Sequence, residues 1–143
     1  MLRSFISSVV LASVFGVAGC DETPEVYYPG YEVAISSDAI VRGWIPVWLP
    51  KSAIEIREKH NLDTNQSMLA FRFNGSEKVE VASGCERIEP INLKEPPFKV
   101  SWWPGDVPAS RLSTYRHSFY SCEGGKAFLA LSAKLGEGFY WRP

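Results

Sequence analysis

A cysteine nucleophile paired with a histidine is the first chemistry to consider in this 143-residue chain. The chain contains three cysteines, Cys20, Cys85 and Cys122, and two histidines, His60 and His117. A cysteine nucleophile needs a histidine beside it as its base. His117 and Cys122 lie five residues apart in one predicted strand, so their side chains are expected on opposite faces. The sequence also contains no GxSxG, HExxH, CxxC or glycine-rich phosphate-binding motif. We therefore predict no catalytic residues and no enzyme.

The acidic segment at residues 63–67 (DTNQS) has the spacing that opens an EF-hand calcium loop. The pattern then fails, because Met68 stands where that loop needs glycine and Asn74 where it needs a bidentate glutamate. Asparagine and aspartate side chains also hydrogen-bond to the backbone of turns. We therefore expect a structural turn here, and the sequence predicts no metal and no other cofactor.

Two adjacent tryptophans, Trp102 and Trp103, stand in an irregular, proline-rich segment. Exposed aromatic side chains on a loop can stack on sugar rings or anchor a protein interface. The plainer alternative is that one or both cover the core where no regular element does. Because neighbouring side chains of an extended segment point in opposite directions, we expect one tryptophan to face outward as a binding residue.

The first 19 residues have the features of a secretory signal peptide. Arg3 is their one charge, and residues 5–19 are apolar or small. The apolar stretch is too short to cross a bilayer comfortably. A short N-terminal anchor helix is the alternative.

The end of this segment, Val17-Ala18-Gly19-Cys20, resembles the lipobox of bacterial lipoproteins. The resemblance implies that the Cys20 thiol receives a diacylglyceryl group, that signal peptidase II cuts before it, and that the new amino group is acylated. Two or three acyl chains hold a protein on a membrane stably, whereas one binds marginally. Asp21 resembles the residue that retains lipoproteins in the inner membrane of enteric bacteria. The predicted location is therefore the periplasmic face of the cell membrane, with the inner membrane favoured over the outer.

With Cys20 lipidated, Cys85 and Cys122 remain as an even pair in an exported domain, which favours a disulfide. The bridge would enclose residues 89–110, which contain five prolines and the least regular structure. Two buried free thiols are the alternative.

Length and charge indicate one small domain after the signal peptide. Residues 20–30 (CDETPEVYYPG) are predicted as a lipidated tether, and residues 31–143 as a single globular domain large enough to bury a core. The net charge of −1 argues against a nucleic-acid footprint, which needs a basic excess.

Two helices are predicted ahead of the first strand. Residues 37–43 (SDAIVRG) predict one helical turn, capped by its serine and stopped by its glycine. Ser52 and Glu55 have the spacing of a capping box, which predicts a helix over residues 53–60. Between these helices, two prolines predict an extended apolar segment at residues 44–50 (WIPVWLP).

Alternating apolar and polar residues predict a half-buried strand at residues 68–73. Residues 76–88 fit either a helix, which their apolar spacing favours, or a strand that returns from an Asn-Gly turn at residues 74–75. The last third predicts a three-stranded meander over residues 112–142. The predicted fold class is therefore α+β, a single small domain with helices packed on an antiparallel sheet.

Residues 43–46 (GWIP), 49–56 (LPKSAIEI) and 60–65 (HNLDTN) resemble a pattern in small, mostly uncharacterised bacterial envelope proteins. There a proline-flanked apolar strand precedes an LPxSAxxI helix, which is followed by an acidic turn and an aromatic strand. The resemblance implies a small compact domain and no particular activity.

These observations favour a membrane-anchored bacterial lipoprotein whose domain is a non-catalytic binding or interaction module at the cell envelope. Its predicted partners are the membrane, through the lipid at Cys20, and an envelope protein or glycan, through Trp102 or Trp103. An immunity-type or protective lipoprotein is the alternative, although the near-neutral charge lacks the acidic excess of an inhibitory face. An envelope enzyme is the weakest alternative.

Overall fold

Strands make up almost all of the regular structure. The computed structural model describes residues 23–81, 84–104 and 116–143. Its elements, in chain order, are β1 (Glu25–Gly30), α1 (Tyr31–Ser36), β2 (Ile54–His60), β3 (Ser67–Arg72), β4 (Cys85–Arg87), a short 3-10 helix (Pro90–Asn92), β5 (Ser118–Cys122), β6 (Ala127–Ser132) and β7 (Glu137–Arg142). These strands form one antiparallel sheet in the order β1-β2-β3-β7-β6-β5-β4.

The predicted α+β class is wrong, because the described residues hold only one α-helix, the six-residue α1. That helix also precedes the turn predicted at residues 37–43, which the structure shows as successive turns rather than a helix. Gly43 does adopt the left-handed conformation expected of a stop, with φ of 76°. The sheet therefore carries the fold without a helical layer.

The helix predicted over residues 53–60 is strand β2. Ser52 forms no capping box; instead its hydroxyl accepts a hydrogen bond from the Asn74 backbone N–H at 2.9 Å. Within β2, Ile56, Glu58 and His60 alternate as the buried residues. Two polar residues at inward positions concealed the period of two that identifies a strand.

Among the other local predictions, the strands are confirmed, whereas the helix at residues 76–88 and the hairpin turn are wrong. The strand predicted at residues 68–73 is confirmed as β3, and β5, β6 and β7 form the predicted meander, although residues 111–115 lie outside the described range. The helix favoured for residues 76–88 is absent from the described part of that range, where Cys85–Arg87 form β4. The Asn-Gly turn is not a hairpin turn, because β3 pairs with β2 and β7.

Both faces of the sheet are buried. We call one the α1 face; residues 31–53 cover it, and its core includes Ile45, Leu69, Phe71 and Tyr140. We call the other the tryptophan face; the segment 88–104 packs on it. Its buried residues are Met68, Ala70, Trp103, Phe119, Phe128, Ala130, Phe139 and Trp141. β3 lies inside the sheet, between β2 and β7, and it is buried on both faces, whereas its alternation predicted burial on one.

A close approach at the centre of the sheet requires a glycine. Phe71 and Gly138 are direct partners across β3 and β7. A Cβ atom added to Gly138 would lie 2.3 Å from the Phe71 ring. The missing side chain therefore allows the ring to lie flat over β7 and fill the core of the α1 face.

Strand β1 lies in the range predicted as a tether. Residues 25–30 pair with β2 along its whole length, and Tyr28 is 4% exposed. Pro29 is compatible with this pairing because β1 is an edge strand, where a missing N–H can face away from the ladder. The ordered domain thus begins within a few residues of Cys20.

Candidate functional site

The two adjacent tryptophans point to different environments. Trp103 is 8% exposed and packs edge-on against Phe139 and Trp141, with ring centroids 5.3 Å and 5.8 Å away. Trp102 is half-buried, and its indole Nε1–H donates a 2.6 Å hydrogen bond to the Glu25 carboxylate. Trp103 is therefore part of the core, and Trp102 is fixed at its rim.

Trp102 stands at the side of an open cleft of about 330 Å³ on the tryptophan face. The floor is apolar and comes from Ala70 and Phe139, which belong to the core of this face. The remaining walls are aromatic or charged: Tyr27, Glu55, Arg57, Arg72, Trp102 and Glu137. Because these residues come from β1, β2, β3, β7 and the covering segment, only the tertiary fold brings them together.

The edge of the sheet positions the charged wall of this cleft. The register between β2 and β3 shifts between Ile54 and Arg57, and Glu55 within this bulge has a φ of 50°. Arg57 is the cross-strand partner of Tyr27, and its guanidinium lies 5.1 Å from the centre of the Tyr27 ring. Such cation–π contacts hold both side chains in place.

The carboxylates of the cleft are also held by neighbours. The Glu55 carboxylate lies 4.0 Å from the Arg72 guanidinium. Glu137 forms a 3.0 Å hydrogen bond with the Nε2 atom of the buried His117. The cleft thus combines two aromatic rings with two guanidinium and two carboxylate groups, a set that can stack on a ring and hydrogen-bond to hydroxyl groups.

The histidines do not form a pair with either of the described cysteines. The Cys85 and Cys122 sulfurs are 2.02 Å apart, at disulfide distance as the sequence predicted, and the residues face each other across β4 and β5. His117 packs with the tryptophan-face ring of Phe119, whereas Cys122 belongs to the core of the α1 face. The predicted separation of His117 and Cys122 is thus confirmed.

A second constellation, which the sequence analysis did not detect, lies on the α1 face. His60 Nδ1 and Glu58 Oε1 are 2.6 Å apart, and the two residues are 4% and 0% exposed. Trp44 stacks on the His60 ring with centroids 4.3 Å apart. The one available signal was spacing, because residues two apart share a face if the segment is a strand rather than the predicted helix.

The acidic segment after β2 is a structural turn. The Asn61 side-chain oxygen accepts hydrogen bonds from the backbone N–H groups of Asp63 and Thr64, at 2.9 Å and 2.8 Å. This is the Asx turn expected there, centred two residues earlier than the acidic pattern. Across the described ranges, no three acidic, histidine or cysteine side chains are grouped to hold a metal ion.

The predicted lipidation site lies outside the described residues. Cys20, the preceding lipobox residues 17–19 and Asp21 precede the first described residue, Thr23. Within the described ranges, every helix is too short to cross a membrane.

Comparison with known proteins gives one partial match. Residues 22–72 match the family described as the YbbD head domain, which is about a third of the chain. The matched part contains β1, α1, β2 and β3, whereas Trp102 and the meander lie beyond it. Searches of curated proteins and of solved structures found no match. Over residues 22–72 the chain is thus similar to the YbbD head domain, which supports the prediction of a small envelope-associated domain.

Proposed function

We propose that the protein is a membrane-anchored bacterial lipoprotein whose domain is a non-catalytic binding module for an envelope glycan. The observation that carries this proposal is the fixed position of Trp102 at the cleft on the tryptophan face. Lipid at Cys20 would hold the module at the periplasmic side of the cell membrane.

The anchor is supported by the signal-like segment and the lipobox resemblance of residues 17–20. Two or three acyl chains would make attachment stable without a membrane-spanning helix. Asp21 favours retention in the inner membrane. The short distance along the chain from Cys20 to β1 would keep the domain close to the bilayer surface.

A sugar ligand suits the chemistry of the cleft. A pyranose ring has an apolar face that stacks on an aromatic side chain, and hydroxyl groups at its edge that need donors and acceptors. Trp102 and Tyr27 would supply the aromatic faces, while Arg57 and Glu137 would bind hydroxyl groups. The volume of about 330 Å³ is at the small end of ligand sites, which suits one or two sugar units rather than a long chain.

The hydrogen bond between Trp102 and Glu25 also favours binding. An indole ring that is already oriented loses little conformational freedom when a ligand stacks on it. Glu25 belongs to β1, so the edge of the sheet fixes the ring even though Trp102 itself lies in an irregular segment. A core role alone would not require this outward anchor.

The test of this function is glycan binding by the detergent-solubilised full-length protein. Peptidoglycan fragments and envelope polysaccharides are the probes. We expect saturable binding that Trp102→Ala weakens by about tenfold or more, since stacking on an aromatic ring is lost. Arg57→Ala should also weaken it, whereas Arg87→Ala, which truncates an exposed arginine on β4, is the matched control and should not. Binding of a protein partner with no glycan bound would contradict the glycan assignment.

The anchor has its own test. Cys20→Ala should abolish incorporation of labelled palmitate and leave precursor or a soluble form. The double variant Cys85→Ser/Cys122→Ser is the control, because it removes the other two cysteines and should still be labelled. A mature N-terminus at any residue other than Cys20 would overturn the lipoprotein assignment.

A further inference from the structure

The buried pair of Glu58 and His60 lies beside a small recess that the glycan-binding proposal does not use. The pair belongs to the α1 face, because Glu58 is the cross-strand partner of Leu69 in that core. The recess measures about 100 Å³ and includes His60 in its wall. Its polar lining includes Arg42, His60, Asn65, Gln66, Ser67 and Arg142.

The ring of His60 is held in one orientation. Its Nδ1 atom is engaged by Glu58 at 2.6 Å, and one ring face is covered by Trp44. The Arg42 guanidinium also lies over the Trp44 ring, 4.9 Å from its centre. Nε2 is buried and has no hydrogen-bond partner among the described residues. Nε2 is therefore the ring nitrogen left without a partner, on a residue that lines the recess.

Two guanidinium groups line the recess, those of Arg42 and Arg142, and none of its lining residues is acidic. The Glu123 carboxylate pairs with the Arg142 Nη2 atom at 2.7 Å and so balances its charge, and Asn65 Oδ1 accepts a hydrogen bond from Nη1 at 2.9 Å. The Arg142 Nε atom, however, has no partner within the described ranges. The recess thus offers guanidinium, amide and hydroxyl donors together with an unused imidazole nitrogen.

We propose that this recess binds a phosphate group, with His60 as a buried hydrogen-bond donor and Glu58 as the positioning residue that orients it. A volume of about 100 Å³ leaves room for an oxyanion group. Guanidinium groups match the geometry of phosphate oxygens.

Two sources could supply the phosphate, and they share this chemistry. One is free inorganic phosphate. The other is the head group of a phospholipid, because the His60 backbone N–H donates to the Pro24 carbonyl at 3.3 Å, next to where the chain from Cys20 enters the sheet.

Protonation explains how Glu58 would act. Burial raises the pKa of Glu58 to about 8 and lowers the pKa of His60. Near pH 7 the pair therefore holds a proton between Oε1 and Nδ1, remains neutral overall and keeps a hydrogen on Nε2. Tyr28, Arg42 and Arg142 are the other titratable or charged groups near the pair, and burial followed by the Glu58 charge raises the pKa of Tyr28. Above the pKa of Glu58 the pair becomes anionic and should repel phosphate.

The experiment is a titration of the detergent-solubilised full-length protein with inorganic phosphate, and phosphorus NMR measures the binding. We expect saturation at millimolar phosphate near pH 7, and an affinity about tenfold lower for the exposed-site variant Arg42→Gln. Arg87→Gln is the matched control and should bind like the wild type. No saturable binding by the wild type, or equal binding by Arg42→Gln, would overturn the proposal.

The role of Glu58 is tested by the pH profile. The wild type should lose phosphate affinity as the pH rises through about 8, whereas Glu58→Gln should show no such loss. The imidazole Nε2 signal of His60 in nitrogen NMR should shift with phosphate only at the lower pH. A wild-type affinity that does not change with pH would refute the positioning role.

Vesicles distinguish the two phosphate sources. Phosphatidylcholine vesicles with and without phosphatidic acid are compared, using the protein made with Cys20→Ala so that the anchor does not mask binding. If phosphatidic acid strengthens vesicle binding and Arg42→Gln abolishes that gain, the ligand is a lipid head group. If the protein binds inorganic phosphate but phosphatidic acid does not strengthen vesicle binding, the ligand is the free anion. Trp102→Ala should change neither phosphate binding nor vesicle binding. A failure of the phosphate proposal can therefore be told apart from a failure of the glycan proposal, on which Trp102→Ala acts.

Discussion

The two faces of the sheet bury different kinds of side chain. The tryptophan face has a core of rings, in which Trp103, Phe139 and Trp141 meet edge to face, and its buried His117 reaches a carboxylate at the cleft, that of Glu137. The α1 face encloses an ionisable pair, Glu58 and His60, in its interior. An apolar core stabilises without depending on pH, whereas a buried acid links stability to protons. The proposed glycan site on the tryptophan face therefore depends on an outward side chain, that of Trp102. The proposed phosphate site on the α1 face depends on an inward one, that of His60.

The largest effect is expected from truncating the aromatic core. Trp103→Ala should lower the free energy of unfolding by about 3–5 kcal/mol, because it removes a buried ring and leaves a cavity. Trp103→Phe is the control, since it keeps an aromatic ring and should lose much less. Urea denaturation of the variants measures the difference. If Trp103→Ala lowers the free energy of unfolding by less than an ordinary surface substitution does, the rings of this face do not support the fold.

The disulfide should rank next, and it stabilises the edge of the α1 face. Cys85 and Cys122 are 37 residues apart in sequence, so the bridge shortens a long loop of the unfolded chain. Its removal by Cys85→Ser/Cys122→Ser should cost about 3–4 kcal/mol in the loop-entropy account. Reducing agent should lower the midpoint of wild-type unfolding to a similar extent and leave the double variant unchanged. Two alkylatable thiols in native protein from the periplasm would contradict the bridge.

The sequence predicted best where burial and local pattern agree. β3 alternates cleanly, and the last three strands are separated by glycine-rich turns, so both were recognised. The residues of β2 predict a helix, because two of its inward positions are the polar Glu58 and His60, and polar side chains in a pattern indicate an outward face. Ser52 and Glu55 then simulated a capping box, although their partners in the fold lie in other parts of the chain. Tertiary burial overrode local propensity there.

The site was predictable only in part, for a related reason. Two adjacent tryptophans in an irregular segment indicated that one would face outward, and the fold places Trp102 at the rim. The other walls of the cleft come from four strands, and their meeting depends on the sheet order. The recess on the α1 face was missed because His60 was weighed only against cysteine partners, while its partner, Glu58, lies two residues before it.

A third prediction concerns the pH dependence of stability. Folding raises the pKa of Glu58 from 4.5 to about 8, so the folded state holds its proton while the unfolded chain releases it. Stability contributed by this group is complete below pH 4.5 and falls as the pH rises towards 8. The lowered pKa of His60 acts in the opposite sense and costs stability as the pH falls below 6.5. Between pH 6.5 and 8 only the Glu58 contribution should change.

The free energy of unfolding of the wild type should therefore fall by about 1–2 kcal/mol across that interval, and that of Glu58→Gln should stay level. Glu86→Gln, which alters an exposed glutamate on β4, is the control and should keep the wild-type slope. Denaturation at a series of pH values measures the slopes. Parallel slopes for the wild type and Glu58→Gln would show that the buried pair does not link folding to protons.

The smallest effect on stability should come from Trp102→Ala, although the largest comes from Trp103→Ala at the neighbouring position. Trp102→Ala loses a partly exposed ring and one hydrogen bond to an exposed carboxylate, so its cost should be about 1 kcal/mol or less. Glu25→Gln is the matched variant, because it keeps an acceptor for the indole N–H and removes only the charge. The same samples report ligand binding, which Trp102→Ala should weaken while the unfolding midpoint hardly moves. If Trp102→Ala instead destabilises the protein as much as Trp103→Ala, both rings belong to the core, and the cleft loses the side chain on which its assignment as a binding surface depends.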